Sequence, residues 1–443
     1  MSDVLTEKTA ARAGSFLPML LIGILFFVFG FVTWLNGALI PFLKIACQLN
    51  EFQALLVAFV FYIAYFVMAL PMSVLLRRFG YKNSMVIGLG IMLCGALLFV
   101  PAALSARFSL FLLALFVLGT GLTVLQTATN PYIVCIGPRD SAAMRISLMG
   151  VVNKGAGFIV PLLFSAWILT GMDAYSDSAL ALLSSSEQQQ LLHSLAQRLV
   201  QPYLLMSAVL LGLMLFVWWA PLPEPQLPAT AAAGQQSDWF SVLKYPQVWL
   251  GTLTLFCYVG VEVIAGDTIG LFGQGLGVAH FGSLTSYTMA FMVLGYLLGI
   301  MLIPRWLSQQ SALLLSALAG IVFSAGVLLS SVQSQQLSFW LTGWLGIPLV
   351  PDPVFYLALL GLANALVWPA VWPLALQGLG SLTATASALL IMGIAGGAVL
   401  PLLYGYLAEQ GDSQHAYWLL LPCYGMILFY ALKGHKLRYQ GAE

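Results

Sequence analysis

Charge is scarce in this chain. Of its 443 residues only 7% are Asp, Glu, Lys or Arg, while 61% are hydrophobic; soluble domains usually carry about 25% charged residues. The shortage excludes an ordinary soluble domain and places the chain in the membrane class. A net charge of +1 argues against an acidic partner, nucleic acid included. Cysteine is sparse too. Cys47, Cys94, Cys135, Cys257 and Cys423 are scattered, four of them inside apolar runs. No paired spacing announces a disulfide framework or a metal site, so packing in the membrane is their expected role. The four histidines, His193, His280, His415 and His435, are dispersed in polar segments. With no Ser-His-Asp set and no His/Cys/Asp cluster, enzyme chemistry is not expected. A glycine-rich phosphate cradle is also missing, so ATP is not the expected energy source, and no resident cofactor is expected.

What the sequence has in quantity is long apolar runs. A bilayer crossing needs about 20 residues. Twelve runs of that kind begin near residues 17, 51, 83, 108, 146, 200, 246, 285, 311, 353, 385 and 415. Gly and Pro recur inside them, as transmembrane helices tolerate. The opening "MSDVLTEKTAARAGS" is short and polar, without a cleavage signal. The run after it is too long for a signal-peptide core and reads as a retained helix. The expected fold is an all-α membrane protein of twelve transmembrane helices.

Basic residues set the expected orientation. With both termini cytoplasmic, Lys8, Arg12, Arg77, Arg78, Lys82, Arg139, Arg145, Lys244, Arg305, Lys433, Lys436 and Arg438 fall inside. Lys44, Arg107 and Arg198 fall outside, a clear positive-inside bias. The longest polar interruptions are 171–199, external, and 222–245, internal. The second, Pro- and Ala-rich, has the composition of a flexible linker. It separates two six-helix bundles, residues 1–221 and 246–443. The halves echo each other: "GAGFIVPLL" at 155–163 matches "AGGAVLPLL" at 395–403. Parallel repeats of this kind are a transporter layout.

Lys154 is the basic residue left over. It lies about nine residues into the fifth run, near the midplane at 1.5 Å per residue, where a lysine costs about 3 kcal/mol on insertion scales. The repeat does not require it, since the matching position holds Ile394. Glu262 and Asp267 lie in the seventh run, "FCYVGVEVIAGDTIG". Buried charges must be paired, so a Lys154–Glu262 or Lys154–Asp267 contact is expected, joining the two halves across a central cavity. A structural ion pair, or a lysine snorkelling about 13 Å to the interface, are the alternatives. Gly260, Gly266 and Gly270 allow the seventh helix to unwind, as helices do at ion sites. Asp267 can instead belong to the external mouth. Asp352 is expected at a helix end.

Amides and aromatics surround this centre at helical spacing. Thr33 and Asn36 are three apart, Gln126 and Asn130 four apart, and Asn364, Trp368 and Trp372 follow one face at spacing four. Asn153 adjoins Lys154. Amides offer donors and acceptors to sugar hydroxyls, and tryptophan offers a flat apolar face to a pyranose. A Trp stripe is otherwise packing or an interface belt.

Four stretches then carry a resemblance. "FFVFGFVTWLNGALIPFLK", "AYFVMALPMSVLLRRFGYKNSMVIGL", "GLTVLQTATNPYIVCIGP" and "YVGVEVIAGD" resemble the fucose:proton symporter family of the major facilitator superfamily, over essentially the whole chain. "NALVWPAVWPLALQGLG" and "SALLIMGIAGGAVLPLLYG" look like the glucose/galactose and N-acetylglucosamine permeases within it. The resemblance implies a central sugar site and alternating access. It also exposes a departure: fucose-type members carry an aspartate where this chain has Gly37, and a glutamate where it has Gln126. If transport is coupled, Glu262 and Asp267 are the remaining buried acids. They would serve a proton, or a sodium ion held by carboxylates and backbone oxygens.

The expected function is therefore cation-coupled symport of a monosaccharide by a monomer in the bacterial inner membrane. An uncoupled facilitator is the alternative. A non-transporting sugar sensor is a third reading, which the short tail "KGHKLRYQGAE" disfavours.

Overall fold

Lipid offers no hydrogen bonds, so a chain this apolar must satisfy its backbone within its own helices. The computed structural model describes residues 2–135, 142–171, 175, 183–222, 242–303, 306–379 and 382–438, and among them there is helix and no strand. Among the described residues twelve helices are long and apolar enough to cross a bilayer. In the first half they are α1 (Pro18–Ala46), α2 (Glu51–Met68), α3 (Arg78–Ser105), α4 (Phe108–Thr129), α5 (Leu148–Ile168) and α6 (Ser185–Trp219). In the second half they are α7 (Pro246–Gly275), α8 (Phe281–Leu302), α9 (Gln309–Leu329), α10 (Asp352–Leu376), α11 (Leu389–Gln410) and α12 (His415–Lys436). Most of the 222–245 linker lies outside the described residues.

Local chemistry sets the joints. Asn50 caps α2 with a reciprocal capping box to Gln53, and Lys44 pairs with Glu51 across the same turn. The helical backbone breaks at Gly80, near the start of α3, at φ 76°, a conformation that glycine enters without a Cβ penalty. The polar interruption at 171–199 contains more structure than its composition announces. Ser184 and Glu187 form a second capping box, which starts α6 well before its apolar part. Arg198 then donates to the Ile168 and Thr170 carbonyls, at 3.0 and 2.7 Å, covering the orphan acceptors at the end of α5. Asp352 does sit at a helix end: its carboxylate accepts from Ser334 Oγ and, at 2.8 Å, from the Leu337 N–H.

Close helix approach depends on glycine. A Cβ at Gly396 of α11 would lie 1.8 Å from the Phe256 carbonyl oxygen of α7, and backbone cannot rotate away as a side chain can. Gly396→Ala is therefore expected to push α7 and α11 apart at a cost of about 1–3 kcal/mol. A lower melting temperature of the purified protein would show it; an unchanged one would mean that the contact yields.

The two halves meet along three seams. On one, α5 packs against α8, with Gly150 on Tyr296, Gly157 near Met289 and Gly282 on Leu169. On the second, Gly405 and Gly397 of α11 rest on Leu55 and Tyr62 of α2. On the third, Gly37 of α1 lies against the Gly266 carbonyl of α7 and Thr285 of α8, and Gly270 lies against the Gly37 carbonyl. The contacts of the third seam and those of Gly405 on α2 sit toward the end where α1 and α7 finish and α2 begins.

Candidate functional site

Lys154 is the natural starting point, because nothing in its apolar helix can satisfy it. Its Nζ lies 2.5 Å from Glu262 Oε1, with both side chains buried. It does not snorkel. The pair joins α5 of the first half to α7 of the second. The same ammonium stands 4.2 Å from the centroid of the Trp34 ring, a cation–π arrangement that gains strength when desolvated. Trp34, on α1, is itself buried. It is wedged between Gly157 of α5 and Gly266 of α7, where an added Cβ would approach the ring to 2.6 and 2.5 Å. Its indole N–H points to Asn153 Oδ1 at 3.5 Å, and the Asn153 amide donates to the Phe26 carbonyl at 3.3 Å. One aromatic side chain thus ties both halves to the charged pair.

Asp267 is different in kind. It is fully buried, in the second half of α7, and neither carboxylate oxygen has a hydrogen-bond partner. The charges that act on it are those of Glu262 and Lys154. Here α7 does not unwind at its glycines. It widens into a π-turn over Ile264–Thr268, a local feature frequent at functional sites. Thr285 and Thr288 of α8 brace that turn by donating to the Gly266 and Ala265 carbonyls, at 2.7 and 3.0 Å. Thr268 donates to the Ile264 carbonyl at 2.7 Å and meets Tyr417 of α12 at 2.9 Å. Tyr62, Tyr258 and Tyr296 stand close enough to Glu262 to feel its field.

The amide and aromatic candidates divide into three groups. Trp368 and Trp372 of α10 are half-buried, with ring centroids 5.5 Å apart. Trp368 leans on Tyr258 of α7 at 6.2 Å, so an aromatic surface begins one helical turn from Glu262. Gln126, also half-buried, donates to the Tyr65 hydroxyl at 2.9 Å. Asn36 and Asn364 are buried deeper. Asn36 keeps an unpartnered amide nitrogen. Asn364 Oδ1 accepts from the Tyr424 hydroxyl of α12 at 2.8 Å, and its nitrogen has no partner. Between Asn364 and Trp368 the helix is irregular at Ala365 and Leu366, though both keep right-handed helical dihedrals. The side chain of Asn130 lies outside the described ones. Trp34, Tyr65 and Tyr258 were not singled out by spacing. The small residues Gly157 and Gly266 are a signal for Trp34 only once the helices are paired. None of these candidates lines the cavity of about 220 Å³ at the far end of α7, bounded by Leu276, His280, Gln335 and Pro351.

Among the described residues no group of three or more His, Cys, Asp or Glu side chains could hold a metal ion. Glu262 and Asp267 are thus two carboxylates near one ammonium, inside a twelve-helix bundle whose halves meet at that ammonium. Comparison with known proteins fits this layout. The Major Facilitator Superfamily profile matches residues 22–401. The chain belongs to the Major Facilitator Superfamily. It is 30% identical, over 98% of each chain, to a glucose/galactose transporter of Brucella abortus. It is 26% identical to the L-fucose-proton symporter of Escherichia coli, over 96% of this chain and 95% of that one. A crystal structure of the Escherichia coli fucose:proton symporter superposes with a TM-score of 0.70 at 24% identity, covering 94% of this chain and 98% of that one; that likeness shows the fold. Relatives named for glucose/galactose transport and for fucose:proton symport are therefore both found. This superfamily member is a multi-pass membrane protein and not an enzyme. Its departures from the fucose-type pattern are accommodated locally: Gly37 fills the α1–α7 seam, and Gln126 is held by Tyr65.

Proposed function

We propose that this chain is a cation-coupled symporter of a monosaccharide of the glucose, galactose or N-acetylglucosamine class, working by alternating access. The observation that carries the reading is the buried Lys154–Glu262 pair between α5 and α7, together with Asp267, which has no partner. An ion pair that only held the fold together would need one carboxylate. A second one, dry and unpartnered, calls for a companion charge, and a co-transported proton or sodium ion supplies it. The names of the relatives support a sugar as cargo, and that of the Escherichia coli symporter supports a proton.

Trp368, Trp372 and Gln126 are the proposed sugar contacts, with Asn153, Asn36, Asn130 and Asn364 around them. The aromatic rings take the C–H face, and the amides take hydroxyls. In this proposal the protein is a monomer in the bacterial inner membrane, both termini cytoplasmic. Uncoupled facilitation is the alternative, and the unpartnered Asp267 weighs against it.

Uptake of labelled sugar into proteoliposomes, with sodium and pH gradients imposed separately, tests the proposal. One of the two gradients is expected to drive accumulation above the external concentration. Equilibration without accumulation under either gradient would leave only a facilitator.

A further inference from the structure

Three charged side chains meet at the buried centre of the molecule, and their charges do not cancel. Lys154 contributes one positive charge, Glu262 and Asp267 one negative charge each. The lysine's position decides which acid it serves: its ammonium is on Glu262 at 2.5 Å and over the Trp34 ring at 4.2 Å. Asp267, five residues on, is fully buried with both oxygens unpartnered. The titratable groups that face it are Glu262 on its own helix, Lys154 from α5 and Tyr62 from α2. From α8, Thr285 and Thr288 donate their hydroxyls to the carbonyls of the π-turn rather than to Asp267. Among the described residues neither Asp267 oxygen receives a hydrogen bond, and the nearby Tyr62 hydroxyl is likewise unpartnered.

We propose that Asp267 is the seat of the co-transported monovalent cation, while Glu262 is a fixed partner of Lys154 that does not exchange it. This rests on the coupled-symport reading and says which carboxylate performs the coupling. The setting of Asp267 also supplies a gate. Its π-turn forms part of the seam where Gly37 of α1 meets Gly266 and Thr285; a Cβ at Gly37 would lie 2.1 Å from Thr285 Oγ1 and 2.7 Å from the Gly266 oxygen. Parting the halves at this end uncovers the turn, and closing them covers it. Access to the cation seat therefore alternates with the same movement that alternates access to the sugar. Glycine at position 37 lets the seam close, and an acid on the other side of that seam carries the charge.

Charge counting alone does not separate the two acids, because neutralising either one balances Lys154. Removing the lysine together with its partner does separate them. In Lys154→Met with Glu262→Gln, Asp267 is the one charge left, and a sugar-evoked current should persist in proteoliposomes. In Asp267→Asn, the current should be lost while exchange of labelled sugar between equilibrated compartments continues. Exchange and melting temperature, measured on the same preparations, establish that each variant is folded. Recording the current once in sodium-free medium and once with sodium at alkaline pH distinguishes a proton from a sodium ion. A current retained by Asp267→Asn would overturn the assignment. So would a current lost in the double variant while its exchange continues. A wild-type protein that exchanges sugar without current in either medium would defeat the coupled reading itself, before any variant is compared.

Discussion

Lys154→Ala should be the most damaging single substitution in the membrane core. It leaves Glu262 without its ammonium, beside an Asp267 that is already unpartnered, so two buried carboxylates face each other with no cation from the protein. Breaking a buried ion pair from one side costs about 3–5 kcal/mol, whereas removing both partners is often close to neutral. The double variant Lys154→Ala with Glu262→Gln is therefore expected to melt above Lys154→Ala alone, although it carries one more substitution. Transport by Lys154→Ala should fall in parallel. Melting temperatures of the two single variants and the double variant decide the matter. Independent, additive losses would mean that the two groups do not act as a pair.

The second large effect is expected at the aromatic surface. Trp368 is half-buried, packed on one side by Tyr258 and Trp372, which leaves part of its indole for a ligand. Trp368→Ala should weaken sugar binding by about 1.5–3 kcal/mol from lost apolar contact and ring geometry, or about one to two decades in Kd. Asn364→Ala should behave otherwise. Its carbonyl oxygen serves Tyr424 inside the second bundle, so the main loss is stability, about 1 kcal/mol for the hydrogen bond, with a smaller change in affinity. Binding titrations on both purified variants, with melting curves alongside, check this. Equal affinity losses would place Asn364 on the sugar after all; wild-type affinity in Trp368→Ala would make that surface packing.

The helices were legible because a bilayer imposes a length and an apolar composition that a single sequence displays. The starts of α1, α2, α4, α7 and α12 fall within about a residue of the apolar runs, well inside the usual boundary error. α6 was harder, because polar "SSEQQQLLHSLAQ" is helical through its cap rather than through hydrophobicity. Lys154 was legible as an anomaly, since a charge in mid-span must be answered. Its partner was not. Glu262 and Asp267 were equal candidates, and the choice depends on the rotation of α7 through a π-turn, which local propensity does not encode. Trp34 was hidden for a related reason: its role arises from glycines on two other helices. Spacing puts Asn364 and Trp368 on one face only if the helix is regular, and the irregularity at Ala365–Leu366 is not visible in the sequence.

Sugar and a cation are proposed to cross together through this charged centre. Linkage makes the claim reciprocal: if a cation gradient drives sugar, a sugar gradient must drive the cation. The direct measurement is to add external sugar to proteoliposomes holding equal sodium and pH on both sides, with a sodium or pH indicator trapped inside. The account predicts that sugar entry carries one of these cations inward, and that Asp267→Asn admits sugar without it. Sugar entering the wild-type vesicles with neither indicator changing would contradict it.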